Sequence, residues 1–490
     1  MSNALVAATW LLVAWGALAF GAVYAWAWRP LAAGCAVVGA AAWVVARRRG
    51  ARADDRALMI ALGLIALAGC LQLVPLPRGL RLAVSPATET VLLEQDLAYA
   101  AAAQQDAALQ APETAAVLTA YRPVSIDGAA TARAIVLLSA FALLLGGLTR
   151  ILNLTGARRL VTALVAFGAA LALAGIIQRA VLGDHAYGGM RIYGFWEPRS
   201  LLTTPFGPFV NRNHFAGWML MAAPLSMGLA LGWGERARRR AGSGWRNALL
   251  RLGTHEVGQA QLAALALFVM AVALLMTRSR SGLGGLAAAT LIAATVVSRR
   301  AGSRRAGSWI AAGLVLLLGA AFIWAGADVA DRVAAGGSSL DLRRRIWHDS
   351  AAVLRAFPLA GTGLNTFGAA MLSYQTPPRE MHFQEAHNEY LQVLVEGGLL
   401  VALPALGAVA ALVAAVGRRF RAGRDDGMTW WLRVGAVTGL SAIALQSMVE
   451  FSLQLPGNAV LCVVLIAVAM HEAPRRPSPS QPPGGGARSR

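Results

Sequence analysis

The chain has 490 residues, 57% of them hydrophobic and 14% charged, with a formal net charge of +20 and a mean hydropathy of +0.55. This balance excludes an ordinary soluble enzyme and describes a polytopic membrane protein. On a soluble chain such a charge would suggest nucleic acid, but here the charges sit between apolar runs, so no nucleic-acid partner is expected.

Apolar runs long enough to cross a bilayer occur at 5–28, 30–46, 57–75, 132–149, 159–182, 208–233, 259–276, 282–298, 308–328, 387–417, 428–451 and 456–471. The expected fold is all-α, with about twelve transmembrane helices. The first run lacks a basic leading region and a second follows at once, so it reads as a retained span, not a signal peptide. The divisions are 1–75, N-terminal transmembrane helices; 76–131, a loop; 132–328, a transmembrane core; 329–386, a larger loop; 387–471, C-terminal transmembrane helices; and 472–490, a tail rich in Pro, Gly and Ser read as disordered. Helical stretches are expected in the loops at Ala98–Ala108, Pro112–Tyr121 and Leu340–Ala356, the last stopped by Pro358 and the Gly361-Thr362-Gly363 turn. Cys35, Cys70 and Cys462 lie in apolar runs and form neither a metal spacing nor a disulfide framework.

All 44 basic residues are arginine, which reads as genome composition bias. Every second connection is arginine-rich, as in Arg47–Arg49, Arg236–Arg240, Arg299–Arg305 and Arg418–Arg424. The positive-inside rule then places those connections and both termini in the cytoplasm, and the two long loops outside.

Against that pattern, Met276-Thr277-Arg278-Ser279-Arg280-Ser281-Gly282 places two arginines in a tight outward turn. Guanidinium groups fit phosphate oxygens two at a time; the alternative is an interfacial anchor. Arg191, Arg212 and Arg343–Arg345 also face outward. Converging from separate loops, such residues would make an electropositive pocket for an anionic ligand. Asn211-Arg212-Asn213-His214 precedes a span, so its asparagines fit a helix cap as well as a ligand role. On a helix Arg343, Arg344 and Arg345 point in three directions, while Arg343 and Trp347 share a face.

His387-Asn388-Glu389-Tyr390 opens the tenth run. Seven histidines form no HxH or HxxxH pair, so no metal is indicated. A lone histidine at a helix start is commonly a cap; beside an arginine pocket, a neutral imidazole can also accept a hydroxyl proton. Glu396 and Glu450 are acids within or at the end of spans. Each reads as an interhelical ion pair or as a support that orients His387 or an arginine.

Together, the 211–217 loop, the 277–282 turn, the Arg343-to-Trp347 spacing followed by Pro358 and Gly361-Thr362-Gly363, and His387-Asn388 with Gly397-Gly398 downstream resemble the O-antigen ligase/polymerase family of bacterial inner-membrane glycan transferases. The family often has a second glycine where this chain has Val401. The resemblance implies a GT-C-like fold in the inner membrane and a periplasmic site that uses neither metal nor cofactor. It implies a donor glycan on undecaprenyl diphosphate and an acceptor hydroxyl on lipid A-core or on another glycan. Arg280 and His387 take the catalytic positions. Arg278, Arg343, Arg191, Arg212 and Asn211 are candidates for diphosphate or substrate binding, and Glu396 and Glu450 for support. A transporter or flippase for lipid-linked glycans is the alternative, but the spans carry few polar residues for a path. A protein O-oligosaccharyltransferase is a further one.

Overall fold

The computed structural model describes residues 3–50, 55–109, 121–182, 191–197, 204–240, 253–301, 339–377, 381–422 and 426–471. Among these the elements are helices, with no strand beyond isolated bridges. The expected span 308–328, residues 112–120 of the expected helix at 112–121, and the tail 472–490 lie outside the described residues.

The membrane bundle contains α1 (Asn3–Leu18), α2 (Ala25–Arg48), α3 (Arg56–Gln72), α7 (Gly128–Ile151), α8 (Leu154–Leu182), α9 (Arg212–Arg240), α10 (His255–Met276), α11 (Arg280–Ala301), α14 (Glu389–Arg421), α15 (Gly427–Gln446) and α16 (Pro456–Met470). Eight are long and apolar enough to cross a membrane; α1, α3 and α16 are shorter apolar helices. Between α3 and α7 come α4 (Arg78–Val84), α5 (Pro86–Gln95) and α6 (Leu97–Leu109). Between α11 and α14 come α12 (Ser339–Ala356) and α13 (Phe367–Tyr374).

Three differences from expectation change the layout; the other helix ends shift by a few residues. The first run ends at Leu18, and α2 starts at Ala25, because Phe20, Gly21 and Ala22 all adopt left-handed backbone. The apolar composition continues through that turn, so hydropathy alone merges the two sides. The eleventh helix stops at Gln446, which leaves Glu450 in the following connection. The tenth, α14, breaks at Gly398 (φ 54°, ψ −160°).

That break is filled by the chain that precedes it. The amides of Leu399 and Leu400 donate to the carbonyls of Pro358 (3.0 Å) and Leu359 (2.9 Å), while Thr362 and Gly363 donate to Val395 (3.1 Å) and Glu396 (2.9 Å). A Cβ on Gly398 would lie 2.5 Å from the Leu359 carbonyl oxygen. Backbone groups freed by a kink in an apolar setting must be paired in this way. The side chain of Gln72, at the end of α3, braces the junction by donating to the carbonyls of Ala360 (2.6 Å) and Glu396 (2.9 Å). Val401 is buried and faces Gly397, where an added Cβ would sit 2.3 Å from the valine Cβ.

Helix α9 is the centre of the bundle and is largely buried, whereas most of α14 is not. It packs on α10 and α15, and α2 packs on α7. Close approach comes from small residues; a Cβ on Gly228 of α9 would sit 2.4 Å from the Trp431 carbonyl oxygen of α15. At one end of the bundle the arginines are paired, for example Arg150 with Asp55 at 2.6 Å and Arg300 with Glu235 at 3.3 Å. At the other end the two long loops form one cap. Its apolar core joins Val91 of α5 to Ile346, Val353 and Phe357 of α12 and its end, and to Phe367, Met371 and Val395. The loops are stitched by Ile126 N–H to Thr362 O (2.9 Å) and by Gln95 Nε2 to Ser373 Oγ (2.8 Å).

Candidate active site

The turn between α10 and α11 is built by its own hydroxyls. Thr277 Oγ1 donates back to Leu274 O (2.6 Å) and accepts from Ser279 N–H (3.2 Å). Ser279 Oγ accepts the Gly282 amide (3.2 Å), which caps α11. This geometry puts Arg278 in the left-handed region (φ 53°), a conformation that costs about 1–2 kcal/mol for a residue with a Cβ. Arg278 is half-buried and Arg280 is exposed. The turn is tied to neighbouring elements by Gln446, whose Nε2 reaches Ser281 Oγ (3.4 Å) and the Asn213 carbonyl (3.3 Å).

Beside the turn, Glu450 gathers three chain segments. Its carboxylate is almost fully buried. Oε1 accepts from Asn213 Nδ2 at 2.8 Å and from Arg343 Nη2. Oε2 lies 3.4 Å from His387 Nδ1, a charge-pair distance longer than a well-formed hydrogen bond. The His387 side chain is 28% exposed and that of Arg343 14%. Phe451 makes near-perpendicular ring contacts with both His214 and His387, with centroids 4.6 and 4.8 Å away. The cluster therefore joins the start of α9, the first turns of α12, the entry to α14 and the connection after α15.

The structure also sorts the remaining sequence candidates. Of the arginine triplet, Arg343 turns inward, while Arg344 and Arg345 are exposed and Arg344 pairs with Asp341. Trp347, on the Arg343 face, donates from Nε1 to the Ala386 carbonyl at 3.0 Å. Asn211 acts as a cap: its Oδ1 accepts the Asn213 amide (2.9 Å) and its carbonyl the His214 amide (3.0 Å). Arg212 begins α9 with its amide on Thr204 O (2.8 Å) and is half-buried. Arg191 is not brought to this cluster by its ion pair, which is with Glu197 at 2.6 Å, both side chains more than half exposed.

Glu396 likewise holds backbone and not a charge. Its carboxylate accepts the amides of Asn365 (2.7 Å) and Phe367 (3.2 Å) and one bond from Gln392 Nε2 (3.1 Å). It therefore fixes the start of α13. Nearby, Glu385 accepts from Gln392 Nε2 at 2.6 Å. Burial, together with the neighbouring carboxylates of Glu396 and Glu389, pushes the Glu385 carboxyl up to about 8.

The sequence left Asn213 between a cap and a ligand role and did not single out Gln446. Asn213 had a signal: with Asn211 in the cap position, a second asparagine two residues on must point elsewhere. Gln446 had none beyond being a polar residue at the end of an apolar helix.

Residues 265–406 match the family model described as O-antigen ligase. This segment belongs to the O-antigen ligase family. It runs from α10 to the middle of α14, so the O-antigen ligase segment contains the arginine turn, Arg343, Trp347, the 358–363 insertion and His387. Asn213 and Glu450 reach the cluster from outside it. A glycosyltransferase-like activity follows from this membership, as do a lipid-linked glycan and an acceptor as partners in general, and with the apolar helices it makes the chain a multi-pass membrane protein. No curated protein matches the chain.

Proposed function

We propose that this protein transfers a glycan from undecaprenyl diphosphate to an acceptor hydroxyl at the periplasmic face of the bacterial inner membrane. The observation that carries the reading is the Glu450 carboxylate, which stands between a histidine and an arginine at the capped end of the bundle. The arginine-rich connections support a cytoplasmic reading of the opposite end and a periplasmic reading of the cap, and the family resemblance supports a GT-C-like bundle of about twelve spans.

In this reading Arg280, Arg278 and Arg343 hold the donor diphosphate, with the exposed Arg280 making first contact and Arg212 and the Asn213 amide at the rim. Forked guanidinium donors suit this ligand. His387 is the base. With Nδ1 turned to Glu450, Nε2 is the nitrogen left for the substrate. The acceptor oxygen attacks the anomeric carbon as its proton passes to Nε2. The bond from that carbon to the diphosphate oxygen breaks, and the electron pair leaves on the diphosphate, where the arginines stabilise it. Glu450 then faces an imidazolium, a favourable charge pair in a half-buried site. A single displacement inverts the anomeric configuration, and no second carboxylate is required as a nucleophile. The chemistry asks for neither metal nor nucleotide. Acceptors in scope are lipid A-core, which gives a ligase, and a second lipid-linked glycan, which gives a polymerase.

The test is reconstitution of the purified protein in vesicles with undecaprenyl diphosphate-linked glycan and each acceptor, without nucleotide or added metal. The expected result is a new glycosidic product and free undecaprenyl diphosphate. Movement of intact lipid-linked glycan across the bilayer with no product would favour a flippase and refute the transferase reading.

A further inference from the structure

His387 carries a second unusual feature besides its neighbours: its backbone is left-handed, with φ 49°. Left-handed backbone is uncommon for a residue with a Cβ, although histidine is among the more tolerant, and it persists where the surroundings hold it. The surroundings here are specific. The main chain of Ala386, directly before the histidine, is held at both of its polar groups, in the peptides on either side of its Cα. Its carbonyl accepts from Trp347 Nε1 at 3.0 Å, and its N–H donates to Gln392 Oε1 at 3.0 Å. Ala386 is fully buried and Gln392 almost so. The other end of the Gln392 amide is itself anchored, with Nε2 donating to Glu385 (2.6 Å) and Glu396 (3.1 Å). After the histidine, Asn388 Oδ1 caps α14 on the Leu391 amide (3.0 Å), and the Glu389 amide donates to Ser447 O (2.9 Å).

We infer that Trp347 and Gln392 are positioning residues for His387, fixing its backbone so that the ring faces Glu450 and the acceptor. The inference rests on the reading of His387 as the base. Both act on the histidine through the main chain of Ala386. Trp347 lies one helical turn beyond Arg343 on the same face of α12, so its indole N–H also sets the base in register with the arginine that meets the leaving group. Gln392 plays the matching part from α14. The apolar body of Trp347 packs in the core of the cap, and the N–H is its one directed polar contact there. Removing either donor or acceptor lets the 385–387 segment relax toward an ordinary backbone, which swings the imidazole out of line. A displacement of about 1 Å at a reacting group costs on the order of 100-fold in rate.

Two variants test this in the reconstituted full-length protein. Trp347→Phe keeps the ring and removes the N–H; Gln392→Met keeps the length and removes both amide functions. The expected result for each is a kcat lower by about 10- to 100-fold with donor KM within about twofold of wild type, because binding by the arginines is untouched. The second measurement is the rate of diethyl pyrocarbonate modification of each histidine, read by mass spectrometry. His387 should change its rate, while exposed His348 and His382 and buried His214 keep theirs. Unchanged kcat, or a lower kcat with unchanged His387 reactivity, would overturn the positioning role. So would an equal gain in reactivity at His214, which reports general loosening. His387→Ala run in parallel separates the two readings. Full turnover in His387→Ala sinks the base assignment itself. Its loss there, beside wild-type kcat in both variants, sinks only the roles of Trp347 and Gln392.

Discussion

Replacing Glu450 with glutamine isolates the electrostatic part of the cluster. The amide keeps the shape and one oxygen acceptor for Asn213 or Arg343, and it removes the negative charge that lies 3.4 Å from His387 Nδ1. At that separation an imidazolium–carboxylate pair in a medium of effective dielectric about 20 interacts by roughly 5 kcal/mol. His387 is 28% exposed, so water screens part of that, and about half, or 2–3 kcal/mol, is a reasonable share. Each 1.4 kcal/mol is a factor of ten, so Glu450→Gln should lower kcat by about 100-fold. Donor KM should stay level or fall, because Arg343 loses its internal counter-charge and is freer for phosphate. The assay is steady-state transfer in vesicles with donor varied at saturating acceptor, with thermal melting to confirm an intact fold. A folded Glu450→Gln protein with kcat within about threefold of wild type would refute the charge-pair role. A rise in donor KM without loss of kcat would assign Glu450 to substrate binding instead.

Arg343→Lys should raise donor KM by about tenfold, since a point charge replaces a fork, whereas Arg344→Ala and Arg191→Ala should leave transfer kinetics unchanged because both side chains are solvent-exposed. Gly398→Ala forces a Cβ against the Leu359 carbonyl in left-handed backbone and should destabilise by about 2–4 kcal/mol. Gly407→Ala, further along the same helix with open space around it, should be neutral or stabilising by up to about 1 kcal/mol; thermal melting in detergent distinguishes them. Glu385 titrates near 8 in the folded protein against an ordinary 4.5. Its folded state therefore holds the proton more tightly, and the stability it contributes is full below pH 4.5 and is lost as pH rises toward 8. Melting temperatures across that range should fall in wild type and fall less in Glu385→Gln; identical slopes would remove Glu385 from the account.

The parts of this protein that could be read from sequence are charges against an apolar background. Arg278, Arg280, His387 and Glu450 are conspicuous because their neighbours are Ala, Leu, Val and Gly, and charge in such settings is expensive. The same contrast located most helices. Where the backbone turns without a change in polarity, the signal fails: the Phe20–Ala22 turn and the Gly398 break are invisible to hydropathy because apolar residues continue across them. Long-range partnerships fail for a different reason. Glu396 and Glu450 looked equivalent, yet one binds backbone amides of a neighbouring loop and the other joins Asn213, Arg343 and His387. Nothing local to either glutamate encodes which groups the cap will bring to it. The merging of the 76–131 loop with the 329–386 loop is of the same kind, since their apolar faces find each other only in the folded cap.

The most direct measurement is a single turnover of vesicle-reconstituted protein with radiolabelled lipid-linked glycan and an excess of acceptor, comparing wild type with His387→Ala. Wild type should convert bound donor to a product of inverted anomeric configuration. His387→Ala should bind donor with similar affinity and form product slower by at least about 100-fold, the range for loss of a general base. Product formation by His387→Ala at the wild-type rate, or retention of configuration in the wild-type product, would contradict a single displacement driven by His387.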